Sequence, residues 1–482
     1  MIDRIRQLEK VARRLEPPAS ERAALIGPVL GYAERFLDTI DTQLTYIETE
    51  DKGIGIYDSP IGDAPAGIDE LLALVGEHVD RPGINPAGGG HLGYIPGGGI
   101  FHSALGDYLA DITNRHSGVF FASPGAVRME HMCTQWMASI VGFPDTAAGN
   151  LTSGGSIANL IGVVTARDAR QITASEIPRS VIYLTSHVHH SVDKAIRIAG
   201  LRECVIRHVP MDALHRMDAD AFDRLVSADI RAGLRPFLVI ASAGTTDVGA
   251  VDPLPAISDI ADRHRIWIHV DGAYGAFFAL CDEGRRVLRG MERADSIIMD
   301  PNKGLFLPYG SGAVLVKDTR AMQDAHFYVA NYMQDAQASR DEASPADLSP
   351  ELTKHFRGLR LWLPLKLLGV APFRAALEEK MWLARYFRER LLEIPGFEVG
   401  PAPDLSVVTF RYLPPKGDAE DFNRRLVQAI HTDGRVFLSS SIIDDVFIIR
   451  LAVLSFRTHL GTIDLTLEIL KEKIADLTSA TT

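Results

Sequence analysis

The chain has 482 residues, of which 46% are hydrophobic, and it carries a formal net charge of −12. This length can bury a large core and support smaller additional domains. The acidic balance argues against a nucleic-acid surface, because no basic excess exists to replace phosphate counterions. No stretch reaches the roughly 18 uninterrupted apolar residues of a membrane span. The three cysteines, Cys133, Cys204 and Cys281, lie far apart. They predict no disulfide framework and no cysteine zinc site, and they suit a reducing cytoplasm.

The chain begins with MIDRIRQLEKVARRLE, in which apolar residues recur at helical spacing among charges of both signs. This pattern predicts an amphipathic helix rather than a signal peptide. We assign residues 1–85 to an N-terminal helical segment. The following stretch, GINPAGGGHLGYIPGGG at 83–99, is too rich in glycine and proline to form a regular element.

A long α/β pattern occupies residues 86–365, the predicted large domain. Short runs rich in Val and Ile, bounded by turn residues, lie at 181–185, 237–242, 266–270, 296–299 and 313–316. Helical patterns separate most of them, which is typical of a mostly parallel sheet covered by helices. The segment from 344 to 368 resembles a linker that runs into a helix. Residues 366–482 then alternate helical and strand-like patterns, which predicts a small α+β domain.

Ligands of open parallel sheets bind beyond the carboxyl ends of the strands, so the residues that follow each run are the candidates for chemistry. His187, His189 and His190 follow the first run, Thr246 the second, Asp271 and Ala273 the third, and Asp300, Asn302 and Lys303 the fourth. Upstream, the glycine-serine turn LTSGGSIANL precedes a helical pattern. Taken singly, these residues are typical of helix caps, turns or solvated side chains, and HVHH could also ligate a metal.

Together, these groups match one cofactor, pyridoxal 5′-phosphate (PLP). The SGGS turn offers backbone N–H groups to a phosphate at a helix N-terminus. Asp271 can pair with a pyridine nitrogen, a histidine ring can lie against a flat ring, and Lys303 can form an imine with an aldehyde. No P-loop, HExxH or GxSxG motif competes with this interpretation.

The order SGGS, HVHHSVDKA, GTT, HVDGAY and DPNKG resembles the group II PLP-dependent decarboxylases, which act on aromatic amino acids, glutamate or histidine. The resemblance runs from about His91 to Arg457. It implies the aspartate-aminotransferase-like fold type I, with a mostly parallel seven-stranded sheet. It also implies a homodimer with active sites at the subunit interface.

The resemblance also implies roles for individual residues. Lys303 matches the Schiff-base lysine, and His189 matches the histidine stacked on the cofactor ring. The remaining cofactor-binding candidates are Gly155, Ser156, Thr246, Asp271, Ala273, Ser296, Asp300 and Asn302. Tyr332 stands where the family carries a loop tyrosine that protonates the carbanion left by carbon dioxide. A phenylalanine at that place is associated with aldehyde-forming relatives, so Tyr332 favours simple decarboxylation.

Two departures concern the substrate. The family usually has NPHK where this chain has DPNK, so Asn302 replaces a histidine, and Gly304 replaces a larger residue. Apolar candidates for the substrate pocket (Tyr94, Ile95, Phe101 and Phe120) favour an aromatic or bulky L-amino acid. Three alternatives stay open: an oxidative aldehyde synthase, another PLP-dependent lyase, and a non-catalytic PLP-binding protein.

Overall fold

The computed structural model describes residues 1–328 and 342–479 and contains three sheets. The strands are β1 Tyr46–Ile47, β2 Gly83–Ile84, β3 Ala148–Thr152, β4 Ser180–Leu184, β5 Val205–His208, β6 Arg235–Ser242, β7 Trp267–Asp271, β8 Ser296–Met299, β9 Gly312–Val316, β10 Phe397–Val399, β11 Val407–Tyr412, β12 Ser439–Ile443 and β13 Val446–Ala452. The large sheet has the order β3-β9-β8-β7-β6-β4-β5. Only β9 breaks the parallel arrangement, since it runs antiparallel to both β3 and β8.

The predicted strand runs of the large sheet are confirmed to within about two residues, and β8 coincides with its predicted run. Two strands of the large sheet, β3 and β5, were not predicted. β3 has the sequence AGNLT, which lacks the apolar run of a buried strand, although all five of its residues are buried. β5 is an edge strand whose residues are half-buried or exposed, so its alternation is weak.

Helices cover this sheet, and their buried faces form the two apolar clusters of its core. The α-helices are α1 Ile2–Ala12, α2 Ala19–Thr39, α3 Ile68–Val75, α4 Phe101–Thr113, α5 Pro124–Val141, α6 Gly155–Ala169, α7 Ser191–Ile198, α8 Ala219–Arg231, α9 Leu254–His264, α10 Asp282–Val287, α11 Pro301–Gly304, α12 Thr319–His326, α13 Arg357–Leu368, α14 Ala371–Leu392, α15 Ala419–Asp433 and α16 Leu460–Ser479. Helix α6 follows β3 directly, so its N-terminus lies at the edge of the sheet where the functional residues gather.

The C-terminal part contains a four-stranded antiparallel sheet of order β10-β11-β13-β12, packed against α14, α15 and α16. Helix α14 contributes to two cores. Its first half places Phe373 and Met381 in the core of the large sheet, and its second half places Phe387 and Leu391 in the core of the small one. The sequence predicted both the helix α13 after the linker and the α+β character of this region.

The N-terminal helices have no buried residues in the single chain. The apolar residues of α1 that suggested an amphipathic helix, including Ile5, Leu8 and Val11, are all more than half exposed. The stripe is therefore present, but it has no apolar partner within the described residues of the chain. None of the helices in the described part has the length and apolar character that a membrane crossing requires.

Candidate active site

A cleft of about 480 Å³, including its open mouth, lies at the carboxyl ends of β4, β6, β7 and β8. It is lined by Gly155, Ser156, Asn159, His187, His189, Ser191, Ser242, Gly244, Thr245, Thr246, Asp271, Ala273, Tyr274, Ile298, Asp300 and Lys303. This is where an open α/β sheet binds its ligands.

Lys303 reaches the cleft from the short helix α11, directly after β8. Its ammonium donates to Asp300 Oδ2 at 3.1 Å, and Asp300 is almost fully buried. Burial raises the pKa of Asp300, and the nearby Lys303 charge opposes that rise. A Cβ atom on Gly304 would lie 2.6 Å from Phe277 Cβ. The fully buried Phe277 thus fills the space beside the lysine turn, which explains why the larger family residue is absent here.

Asp271 ends β7 and is 8% exposed. Its Oδ1 accepts the Ala273 N–H at 3.2 Å, and its Oδ2 accepts Asn159 Nδ2 at 3.0 Å. Each carboxylate oxygen has two lone pairs, so both can accept a further donor from the cleft. Ala273 adds only a methyl group to the cleft wall, which leaves room for a flat ring above it.

His189 follows strand β4 and Asp271 ends strand β7, and both residues line the same cleft. Burial lowers its pKa, with the Asp271 carboxylate acting in the opposite direction, so the ring is neutral near pH 7. Its Nδ1 lies 2.7 Å from Ser191 Oγ and 3.3 Å from the Ser191 N–H, which assigns Nδ1 as an acceptor. A neutral, fixed imidazole can lie flat against an aromatic ligand.

Gly155 and Ser156 form the first turn of the 15-residue helix α6, where unpaired N–H groups attract an anion. Gly154 precedes them with φ of 155°, which favours glycine. A Cβ on Gly155 would lie 3.0 Å from Asp300 Oδ2, so only a glycine lets the turn approach that carboxylate closely. This turn can hold a phosphate group.

The structure therefore brings eight of the predicted residues to one cleft: Gly155, Ser156, His189, Thr246, Asp271, Ala273, Asp300 and Lys303. Thr246 is held there by its carbonyl, which accepts a hydrogen bond from Arg450 Nη2. The remaining predicted residues are placed elsewhere, and Tyr332 lies outside the described residues.

Two predicted cofactor-binding residues, Ser296 and Asn302, are not among the residues that line the cleft of the single chain. Ser296 begins β8 rather than ending it, and its hydroxyl contacts Trp267 Nε1 and His269 Nδ1 inside the sheet. Asn302 is buried on α11, where its carbonyl meets the glycine-rich segment, so that a Cβ on Gly97 would lie 2.0 Å from Asn302 O. Both residues are close to Lys303 in sequence, and their contact with the cofactor stays a prediction.

The four predicted substrate-pocket residues also lie outside the lining of the single-chain cleft. Phe120 is buried under the guanidinium of Arg128, Ile95 packs against the large core, and Tyr94 and Phe101 are exposed. Tyr94 has a positive φ of 54° and contacts the rings of His91 and Phe437. Their apolar character suggested these residues, but it does not determine which surface they face.

Sequence reasoning missed several lining residues, above all Asn159, Ser191 and Tyr274. Asn159 lies one helical turn after Gly155 and Ser156, so helical spacing alone could have placed it on the same face. Ser191 lies two residues after His189, within the same motif. Tyr274 belongs to the HVDGAY motif, and its hydroxyl is anchored to Ser406 at 2.7 Å.

PLP fits this set of groups. The helix N-terminus can take the phosphate, the Asp271 carboxylate has capacity for the pyridine nitrogen, His189 can cover the ring, and Lys303 supplies the amine. Asp300 Oδ1 and His187 Nδ1 are buried without a hydrogen-bond partner among the described residues, as expected for polar atoms placed to face a ligand. No group of three or more metal-ligating side chains occurs in the described ranges.

Comparison with known proteins agrees with this geometry. The family model of the pyridoxal-dependent decarboxylase conserved domain matches residues 91–413. Aromatic-L-amino-acid decarboxylase of Bacillus atrophaeus is 34% identical over 386 residues, covering 79% of this chain and 78% of that protein. Tyrosine decarboxylase 2 of Arabidopsis thaliana is 30% identical over 409 residues, covering 81% and 74%.

Among solved structures, Oryza sativa TDC with PLP and tryptamine superimposes with a TM-score of 0.90 and 25% identity, covering 96% of this chain and 99% of that one. The fold is thus PLP fold type I, as predicted. The chain belongs to the pyridoxal-dependent decarboxylase family, and it is a PLP-dependent amino-acid decarboxylase.

Proposed function

We propose that the substrate is an L-amino acid with an aromatic side chain, which is converted to its amine and carbon dioxide. The observation that carries this proposal is the lining of the cleft, which contains no arginine among its described residues. The side-chain carboxylate of an acidic substrate would need a cationic partner such as arginine, because burying an unpaired carboxylate costs free energy. The names of the similar proteins, which include aromatic-L-amino-acid and tyrosine decarboxylases, support the same class.

The proposed roles follow from the position of each group. Lys303 would supply the amine that holds the cofactor, and it would help to release the product. Asp271 holds a proton on the pyridine nitrogen, and His189 fixes the plane of the ring. Gly155 and Ser156 bind the phosphate, with Thr246, Ala273 and Asp300 completing the site. When bound, PLP supplies an electron-accepting ring for the pair of electrons left by carbon dioxide.

Tyr332 is proposed to deliver the proton that replaces the carboxylate on the substrate Cα. The segment around it is framed by Tyr328 and Glu342, the described residues on either side. Glu342 accepts from Arg128 Nε at 2.6 Å and lies 3.2 Å from His131 Nδ1, which attaches one end of the segment to helix α5. A general acid held close to the substrate Cα can supply this proton directly.

The active unit is proposed to be a cytoplasmic homodimer with active sites at the interface. Exposed apolar side chains on α1 and α4, such as Leu8, Phe101 and Tyr108, form surfaces that water does not favour. A second copy could cover them and bring Phe101 or Phe121 toward a cleft of its partner. Sedimentation should give about twice the chain mass of 52.7 kDa, and a monomeric yet fully active protein would contradict the proposal. We also propose segment boundaries near residues 85 and 365.

The substrate proposal is tested with a panel of L-amino acids under PLP saturation. We expect kcat/KM for tryptophan, tyrosine or phenylalanine to exceed that for glutamate and aspartate by at least about 100-fold, or about 2.7 kcal/mol. A preference for an acidic side chain would overturn the aromatic assignment and leave the decarboxylase assignment intact.

A further inference from the structure

A continuous chain of hydrogen bonds runs through the sheet and ends on Asp271. Trp267 Nε1 lies 2.9 Å from Ser296 Oγ, which lies 2.8 Å from His269 Nδ1. His269 Nε2 lies 2.9 Å from Asn159 Oδ1, and Asn159 Nδ2 lies 3.0 Å from Asp271 Oδ2. Ser296, His269 and Asn159 have no exposed surface. Buried polar groups with these short contacts form a fully satisfied network.

One assignment of donors and acceptors satisfies every bond in this chain. The Trp267 indole can only donate, so Ser296 Oγ accepts from it, and the Ser296 proton is free to go to His269 Nδ1. Burial lowers the pKa of His269 to about 4, so the ring is neutral and carries its single proton on Nε2. That proton goes to Asn159 Oδ1, which turns the NH₂ group of Asn159 toward Asp271. The amide therefore meets Asp271 as a donor, and this hydrogen bond fixes the orientation of the carboxylate.

The same amide also connects Asp271 to the other side of the cleft. Asn159 Nδ2 donates to Ser191 Oγ at 2.9 Å, and Ser191 in turn donates to His189 Nδ1. One NH₂ group therefore connects the carboxylate proposed for the pyridine nitrogen with the imidazole proposed to cover the ring. Helix α6 is shaped for this contact, because a Cβ on Gly162 would lie 2.4 Å from His269 Cε1.

We propose that Asn159 and His269, backed by Ser296 and Trp267, are positioning residues that hold the Asp271 carboxylate in the orientation that the PLP pyridine nitrogen requires. This proposal rests on the role proposed above for Asp271. It assigns a function to Ser296 that differs from the phosphate contact expected from sequence. It also gives α6 two functions, since its first turn faces the phosphate while its second turn aims the carboxylate.

The test measures the dissociation constant of PLP from the purified, reconstituted enzyme, together with the melting temperature of the cofactor-free protein. Two variants break the chain near Asp271, Asn159→Ala and His269→Phe, and Ser296→Ala breaks it further away. Thr165→Val is the matched control, since it removes a buried hydroxyl from the same helix, bonded to the Ile161 carbonyl at 2.8 Å. Hydrogen-bonded partners behind a metal ligand typically contribute about 10- to 100-fold in affinity, and we expect the lower end of that range for the partners behind Asp271.

We expect the PLP dissociation constant to rise about tenfold or more in Asn159→Ala and His269→Phe, and less in Ser296→Ala. The variant His269→Gln, whose amide can still donate to Asn159, should restore affinity to within about threefold of wild type. The kcat value should fall while KM for the amino acid changes little. Thr165→Val should lower the melting temperature without changing PLP affinity.

Wild-type PLP affinity in a folded His269→Phe enzyme would overturn the proposal, and so would an equal loss of affinity in Thr165→Val. Ser296→Ala is the mildest change and keeps the test decisive where the larger replacements fail to fold. The variant Asp271→Asn distinguishes the role of Asp271 from the role of the residues behind it. If Asp271→Asn leaves PLP binding unchanged, the role proposed for Asp271 is wrong. If Asp271→Asn weakens PLP binding but the Asn159 and His269 variants do not, the positioning role of Asn159 and His269 is wrong.

Discussion

Replacing Lys303 with alanine is expected to abolish the visible absorption of the lysine-bound cofactor and to lower kcat by at least about 10⁴-fold, or about 5.4 kcal/mol. Lys303 is the lysine among the described residues that line the cleft, and its amine lies 3.1 Å from Asp300 Oδ2. Without the Lys303 amine, the cofactor would have no covalent attachment to the protein. The product would also have no protein amine to displace it from the cofactor. Absorption spectra and steady-state rates measure both effects.

The matched control is Lys194→Ala, which removes an exposed lysine from helix α7, four residues after His190. It should keep the spectrum and the rate within about twofold of wild type, as expected for a surface substitution. A Lys303→Ala enzyme that retains the bound-cofactor spectrum would show that another amine holds PLP and would displace Lys303 from its assigned role.

Replacing Tyr332 with phenylalanine is expected to change the product rather than only the rate. Without the phenol, protonation of the substrate carbon slows by about 100-fold or more, the usual contribution of a general acid. Molecular oxygen can then take the electrons. The amino acid, oxygen and water give an aldehyde, carbon dioxide, ammonia and hydrogen peroxide, and amine formation declines.

Chromatography of amine and aldehyde, with a peroxidase-coupled assay, measures this change. Tyr328→Phe is the matched control, because Tyr328 lies four residues earlier and is 86% exposed. It should yield amine without peroxide, as wild type does. If Tyr332→Phe makes only amine at the wild-type rate, another group protonates the carbon, and Tyr332 has no part in the reaction.

Much of the fold could be predicted from local patterns. The apolar runs at β4, β6, β7, β8 and β9 mark strands buried on both faces, which read as continuous hydrophobic segments. Strand β3 was not predicted because its sequence, AGNLT, is not a continuous apolar run, although all five of its residues are buried. The N-terminal helix was predicted correctly, but its exposed stripe gives no hint within the chain of what covers it.

The site was predictable where a residue directly follows a strand. Lys303, Asp271 and His189 share one edge of the sheet because parallel strands end together. Ser296 and Asn302 show the limit of that rule, since proximity in sequence does not decide which residues line the cleft. His269 was not predicted because its role depends on Asn159, 110 residues away, and such a pair becomes visible only when α6 packs on β7.

The most direct test of decarboxylation uses an aromatic L-amino acid labelled with ¹³C in its carboxyl group, mixed with the PLP-loaded enzyme while dissolved oxygen and hydrogen peroxide are monitored. Simple decarboxylation gives labelled carbon dioxide and unlabelled amine in equal amounts, with no oxygen consumed and no peroxide formed. A product that retains the label, or amine-free turnover that consumes oxygen, would contradict it.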